Sequence, residues 1–440
     1  MDEEFYSRQL YAIGKDAMKL LNMSSILISG MSGLGVEIAK NLILSGVKSV
    51  TIQDSNNVQE KDLLSNYYID SNSIGKNIVL SVIEKLASLN YQVDVKSDTN
   101  KLSENHFKEH NIIIICNEFP IDNINNNKLA RKYGTKFILA SSNKNMGYVF
   151  CDFGEFFVKD KTGEILPEGT ISNCENNIIT TLIPQKLSEN DTIIIENYEI
   201  KVKKICDIFK FEHDNNIKNL NGKKFIKQVD SETILFKSLE ESIKNPVFTT
   251  VISDNFEKQA LLHNLYTGLH YREISNHEFC PVNSIFGSIA AQEAIKACTN
   301  YSPINQWLYL DFEDNFDKNT DKKIFIVGAG AIGCELLKNL AMMNIKNIII
   351  TDMDTIEKSN LNRQFLFKNS DIGKFKSECA KEAVLKMNPK INIIAQTNKL
   401  CEETLSIYDS LFFKDIACVM TALDNIEARL FVDRLCCNYQ

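Results

Sequence analysis

Ile324-Phe325-Ile326-Val327-Gly328-Ala329-Gly330-Ala331-Ile332-Gly333 is an apolar run that closes on three spaced glycines and leads into a helical pattern. The chain carries this stretch twice. Stepping back 298 positions gives Ile26-Leu27-Ile28-Ser29-Gly30-Met31-Ser32-Gly33-Leu34-Gly35. The same offset pairs Lys40-Asn41-Leu42 with Lys338-Asn339-Leu340, Asp54 with Asp352, and Ile74-Gly75-Lys76 with Ile372-Gly373-Lys374. A period this long denotes two whole domains, since solenoid repeats run to about 20–50 residues.

Each copy reads as strand, glycine turn, helix and strand. In the second copy Leu336, Leu337, Leu340 and Ala341 recur at helical spacing and form one buried face. Ile348-Ile349-Ile350-Thr351 is the next strand, and it ends at Asp352. Such a βαβ unit implies a parallel sheet with a right-handed crossover, hence an α/β, Rossmann-like fold in each copy. Ile112-Ile113-Ile114-Ile115 of the first copy corresponds to Ile416-Ala417-Cys418-Val419-Met420 of the second.

Between the copies, from about Phe153 to Phe248, short strand-like segments alternate with turn signals: Thr192 to Ile195, Asn221-Gly222, Thr233 to Phe236. No helical period interrupts them, which predicts a small β-rich insertion. Helical spacing returns from Asn283 and runs into the strand-like Gln306-Trp307-Leu308-Tyr309-Leu310. Both are assigned to the first α/β domain, which is therefore discontinuous. The polar stretch Asn315 to Lys323 is the expected linker, and the run Asn123 to Asn127 is read as loop composition.

Size and composition set limits. A chain of 440 residues is too long for one core. Hydrophobic content of 44% with 24% charged residues is that of a soluble globular protein. A net charge of −8 argues against a general nucleic-acid binder. The opening Met-Asp-Glu-Glu-Phe has no signal-peptide character, and no apolar run reaches the ~20 residues that span a bilayer. Twelve cysteines without Cys-x-x-Cys spacing predict reduced, buried thiols in a cytoplasmic or nuclear protein, with neither a zinc site nor a disulfide framework.

Gly328-x-Gly330-x-x-Gly333 between strand and helix is a phosphate cradle: glycines permit a tight turn, and the helix N-terminus favours an anion. Asp352, nineteen residues past Gly333, stands where a ribose-binding carboxylate belongs. The next residues choose the nucleotide. Asn360, Arg363 and Lys376 supply two cations and an amide, and Asp424 and Asn425 follow a later strand. That set suits a triphosphate, with the carboxylate of Asp424 suited to Mg²⁺. The first copy is an internal control. At the 298 offset Arg363 becomes Ser65, Lys376 becomes Ile78 and Gly330 becomes Ser32, and no carboxylate stands clearly in place of Asp424 near Ile115-Cys116-Asn117. One working and one silent nucleotide fold are expected.

These residues carry a resemblance. Tyr6-Ser7-Arg8-Gln9-Leu10-Tyr11, Gly328 to Glu335, the long run Thr351 to Phe365, Ala422-Leu423-Asp424-Asn425 and Gln306-Trp307-Leu308-Tyr309 resemble ubiquitin-activating enzymes of the single-chain E1 type. The likeness covers nearly the whole chain and is weakest over 155–280. It implies two ThiF/MoeB-like adenylation domains as an internal pseudo-dimer in a monomer. The inactive one would occupy 1–153 and, after the β-rich first catalytic-cysteine half-domain at 154–248, a shortened helical region and return at 249–318. The active one, truncated, would occupy 322–440. The resemblance also implies a site. Mg-ATP would set its ribose on Asp352 and its phosphates near Asn360, Arg363 and Lys376. Asp424 would hold Mg²⁺, while Asp354, Gln364 and Asn425 add nucleotide contacts. Arg8, from the silent half, would reach the γ-phosphate, making Arg8, Arg363 and Lys376 the catalytic cations. Ubiquitin's C-terminal carboxylate would attack the α-phosphorus, pyrophosphate would leave, and a thioester on a cysteine beyond residue 440 would precede transfer to an E2 enzyme. Activation of a related modifier and a non-catalytic modifier-binding scaffold are the alternatives. A nicotinamide-dependent dehydrogenase fits the glycine loop and Asp352 equally but leaves Arg363, Lys376 and Asp424 idle.

Overall fold

Both apolar runs form the parallel strands that the repeat predicts. A computed structural model describes residues 2–159, 168–196, 198–213, 220–228, 231–249, 256–268, 278–312 and 321–439. The chain divides into two compact units. One comprises Met1–Gly154, Phe236–Thr299 and Pro303–Gln440, the other Glu155–Leu235 with Asn300–Ser302.

The larger unit opens with α1 (Ser7–Leu21), β1 (Ser25–Ser29), α2 (Gly33–Ser45), β2 (Ser49–Gln53), α3 (Ile78–Ala87) and β3 (Asp94–Asp98). Next come α4 (Glu104–Glu109), β4 (Ile112–Cys116), α5 (Ile124–Tyr133), β5 (Lys136–Asn143) and β6 (Met146–Asp152). The smaller unit holds β7 (Glu155–Val158), β8 (Glu168–Glu175), β9 (Ile178–Thr181), β10 (Thr192–Ile195), β11 (Tyr198–Asp207), β12 (Lys210–His213), β13 (Lys224–Lys227) and β14 (Glu232–Leu235). The chain then returns through α6 (Leu239–Lys244), α7 (Phe256–Thr267), α8 (Cys280–Thr299) and β15 (Trp307–Asp311). The second copy follows: β16 (Lys323–Val327), α9 (Ala331–Met342), β17 (Asn347–Thr351), α10 (Lys376–Met387), β18 (Asn392–Gln396), α11 (Ser410–Lys414), β19 (Ile416–Thr421) and α12 (Ile426–Asn438).

The first sheet runs β15-β6-β5-β4-β1-β2-β3, with its β5-β4-β1-β2-β3 stretch parallel. The second runs β19-β16-β17-β18 and is parallel throughout. Strands covered on both faces need continuous apolar runs, and Ile26-Leu27-Ile28 and Ile112 to Ile115 are fully buried. The 298 offset maps β1, β2 and β3 onto β16, β17 and β18. Beyond β4 the first sheet continues through β5, whereas β19 is an edge strand among the described residues. The smaller unit is a closed antiparallel barrel, β10-β11-β12-β9-β8-β13, around Ile179, Ile193, Ile200, Val202 and Phe211, with β7 and β14 paired beside one another as a separate ribbon. Its compact unit ends at Leu235, short of 248. Residues 236–248 pack with the larger unit instead, where Leu239 and Phe248 join the core around Phe150 and Trp307. The expected linker lies mostly outside the described residues, as does part of the helical region before α8.

Two sequence readings change. The asparagine run is helical: Asn123 precedes α5, and Asn127 is buried. Its amide donates to Asp152 at 2.8 Å and its carbonyl accepts from Leu239 N at 2.9 Å, so tertiary bonds override its loop propensity. The cysteines are all free thiols, but only half are buried; Cys206, Cys418 and Cys437 are exposed. Among the described residues no helix is long and apolar enough to cross a membrane, and no acid, cysteine or histidine cluster could hold a metal.

The two copies meet through buried charge. Lys40 sits 2.8 Å from Glu37 on its own helix and pairs with Glu335 across the joint. Lys338 sits 2.8 Å from Glu335 on its own helix and pairs with Glu37. The offset turns Glu37 into Glu335 and Lys40 into Lys338, so the ring is related to itself by a pseudo-two-fold axis. Lys40 lies 4.4 Å from the ring centre of Phe365 and Lys338 5.1 Å from that of Tyr67, which are again 298 apart. Burial raises the Glu335 carboxyl, but Lys338 and Lys40 outweigh it and hold it down to about 2. A depressed carboxyl stabilises the fold above its unfolded value, about 4.3, and loses that contribution as pH falls toward 2. Acid titration monitored at the joint should therefore show it weakening below about pH 4.3, and Glu335→Gln should remove that part of the pH dependence. An unchanged acid profile in the variant would contradict this assignment.

Candidate nucleotide site

The second copy's cradle starts where β16 ends. Gly328 has φ +105°, and a Cβ there would meet Ala422 O at 2.7 Å. A Cβ on Gly333 would meet Gly328 O at 2.2 Å. These two glycines serve the turn and close packing. Gly330 differs: the nearest atom to a Cβ there is Gln364 Nε2, at 4.0 Å. The space over Gly330, at the N-terminus of α9, is open.

Asp352 closes one side. Ala329 N donates to its Oδ2 at 2.6 Å and Asp354 N to its Oδ1 at 2.8 Å. Burial raises the carboxyl, against the pull of those two amides. Lys376, buried at the start of α10, reaches back to Asp354 Oδ2 at 2.8 Å. Gln364 is 3% exposed, and its Oε1 has no hydrogen-bond partner among the described residues. A buried orphan acceptor costs free energy unless a ligand or water satisfies it.

Arg363 donates to Ser359 O at 2.6 Å and to Asn362 Oδ1 at 3.1 Å. Burial lowers its affinity for the proton, and so does the charge of Arg8; Asp424 and Glu357 act the other way. The structure thus brings Arg8 of α1, from the first copy, into one electrostatic neighbourhood with Arg363 and Asp424. Lys358 reinforces that approach by bridging to Asp2 at 2.8 Å and Glu4 at 3.1 Å. Two expected ligands have local tasks as well. Asn360 Oδ1 accepts from Glu357 N, and Asn425 Oδ1 caps α12 by accepting from Ala428 N. Their amide nitrogens are the groups that could meet a nucleotide.

The first copy repeats the frame and fills its cradle. Met31 N donates to Asp54 Oδ2 at 2.8 Å and Asn56 N to Oδ1 at 2.9 Å, as at Asp352. Where an anion would meet the helix N-terminus stands the chain's own Glu278. Its Oε2 accepts from Gly33 N at 2.9 Å, Ser65 Oγ at 2.6 Å and Asn283 Nδ2 at 3.2 Å, and its Oε1 accepts from Asn117 Nδ2. Ser65, in place of Arg363, donates to a carboxylate and not to a phosphate, whereas the position of Asp424 does keep an acid, because the strand pairing sets Glu118 there. Sequence reasoning missed Glu278, 245 residues from Gly33, because no local pattern signals it.

A family model, the ThiF family, matches residues 6–317 and 305–440. The chain belongs to the ThiF family. Its double match agrees with the two copies. This ThiF-family chain is 34% identical over 549 aligned positions to "Ubiquitin-like modifier-activating enzyme 1" of Homo sapiens, and 32% identical over 545 to "Ubiquitin-activating enzyme E1 2" of Arabidopsis thaliana. Both alignments take in all of this chain, which spans about half the length of these curated relatives (51% and 50%). The alignments exceed the chain's 440 residues, so the relatives carry internal segments with no counterpart here. A solved structure, E. coli MccB, is 15% identical, with 71% of this chain and 68% of that chain covered and a TM-score of 0.40, a likeness too distant to argue from.

The open space over Gly330 at the helix N-terminus fits a nucleotide's phosphates, the orphan acceptor of Gln364 suits a donor such as a hydroxyl or an amine, and Gly330 is the position to test. Gly330→Ser installs the first copy's residue in space that can hold it, so stability should change by no more than about 0.5 kcal/mol. Mg-ATP affinity by calorimetry should fall by about tenfold or more. Unaltered affinity would place the phosphates elsewhere.

Proposed function

We propose that this protein is an ATP-dependent activating enzyme that adenylates the C-terminus of ubiquitin, with the second copy as the working nucleotide site and the first as its support. One observation carries the reading: the space over the cradle is open in the second copy, where Lys376 acts on the neighbouring Asp352, but is occupied by the carboxylate of Glu278 in the first. Likeness to proteins named as ubiquitin-activating enzymes supports the choice of modifier.

Mg-ATP would supply the adenylyl group and a pyrophosphate leaving group. Asp352 accepts a ribose hydroxyl; its two backbone donors keep the carboxylate oriented. Lys376, braced by Asp354, and Arg363 neutralise phosphate charge, Asp424 is the carboxylate for Mg²⁺, and Arg8 adds a cation from the other copy. The reaction joins two anions, so positioning and charge neutralisation matter more than a protein nucleophile. None of the twelve cysteines is assigned as a thioester acceptor. Thioester formation and transfer to E2 enzymes, in the cytoplasm and nucleus, complete the proposed sequence.

Ubiquitin-dependent ATP–pyrophosphate exchange tests it, on this chain and on a naturally longer form. Exchange in either supports the proposal. Its absence from both, with ubiquitin and related modifiers each tried, overturns it.

A further inference from the structure

The first copy keeps more than a relic of its nucleotide frame. A cleft of about 530 Å³, the size of a small-molecule pocket, opens beside Gly30 and Asp54. Its walls include Asn57, Gln53 and Asn117, with Ile78 and Leu102 as apolar surface. Asp54 is positioned by the same two amide contacts as its counterpart Asp352, and Asn56 Nδ2 donates to its Oδ1 as well at 2.8 Å, which leaves Oδ2, bonded to Met31 N, as the oxygen set to accept from a ribose hydroxyl.

What the cleft will not take is equally defined. The spot that receives phosphate in such folds, at the N-terminus of α2, is held by Glu278 through four donors. A phosphate brought there would displace a bonded carboxylate or sit against it, and like charges in contact are strongly disfavoured. Ile78 stands where the second copy has Lys376, so the first copy lacks that cation. Lys61 and Lys101 also line the cleft, but both are exposed, where a charge contact contributes little, and the acids Asp62 and Glu118 line it with them.

We propose that the first copy is a binding site for an uncharged nucleoside, with the ribose diol on Asp54 and the 5′ end facing a carboxylate that excludes nucleotides. The silent copy then has a ligand class of its own, and Glu278 is its selectivity determinant. The proposal does not depend on adenylation by the second copy.

Methyl-resolved NMR titration of the whole chain tests it, because Ile78 and Leu102 report on this cleft and Ile332 on the other. Adenosine, guanosine, cytidine and uridine are each titrated up to roughly 10 mM, a range that detects affinities as weak as millimolar, alongside their 5′-monophosphates. At least one nucleoside should shift Ile78 and Leu102 saturably without Ile332, and its monophosphate should bind there at least tenfold more weakly. Glu278→Gln keeps the shape and removes the charge, so the monophosphate should gain at least tenfold. No saturable shift with any nucleoside would overturn the proposal. So would a monophosphate that binds wild-type protein as well as its nucleoside, or a folded Glu278→Gln variant with no gain.

Discussion

Replacing Asp424 or Arg363 with alanine is expected to lower ubiquitin-dependent ATP–pyrophosphate exchange by about 10²–10³, the usual loss when one charge-stabilising group leaves a preorganised site. Asp424 gives the cleaner test. It is exposed and lies past the end of β19, so its removal should leave the fold and the melting temperature unchanged. Arg363 is partly buried and holds Ser359 O and Asn362, so alanine there removes a brace as well as a charge. Arg363→Lys separates these effects: it keeps the charge without the planar fork and should retain more exchange than alanine. The change should appear in turnover at saturating Mg-ATP as well as in affinity, because the charge to be neutralised grows as the phosphate bond breaks. Exchange within threefold of wild type in both alanine variants would remove these residues from the site.

The second large effect is on stability. Lys338→Met should cost about 3–5 kcal/mol, because it leaves Lys40 alone against two carboxylates, Glu37 and Glu335, in a ring in which three of four side chains are almost fully buried. Truncation alone cannot separate lost packing from stranded charge, but the double variant can. Glu37→Leu with Lys338→Met removes one neutral pair and leaves Lys40 with Glu335, so much of the loss should return. The measurement is the denaturant midpoint of the larger unit in wild type, both single variants and the double. A single-variant loss below about 1 kcal/mol would mean that water reaches the ring and screens it.

Legibility in the sequence followed range. The repeat, the parallel strands and the cradle were readable because each rests on local pattern: apolar runs, spaced glycines, an aspartate at a strand end. The identity of the second copy as the cationic one was readable from single positions, Ser65 against Arg363 and Ile78 against Lys376. What escaped depends on distant partners. Lys40 and Lys338 looked like ordinary charged helix positions, since nothing within either helix shows that the other will bury it. Glu278 reaches the cradle from beyond the barrel segment. Asn127 became helical through bonds to Asp152 and Leu239, not through its own preference. The orphan oxygen of Gln364 is likewise a property of the packed site, although the residue itself belongs to a motif that resemblance picked out.

The charge ring has a further consequence for assembly. Each side presents the same glutamate and lysine three residues apart, so either helix is as complementary to a second molecule's copy as to its own. Contact chemistry cannot tell the two apart. What favours the intramolecular partner is tethering: covalent connection within one chain gives an effective concentration of roughly millimolar order. At ordinary protein concentrations the correct joint therefore wins by proximity, while crowding of unfolded chains would let halves exchange between molecules.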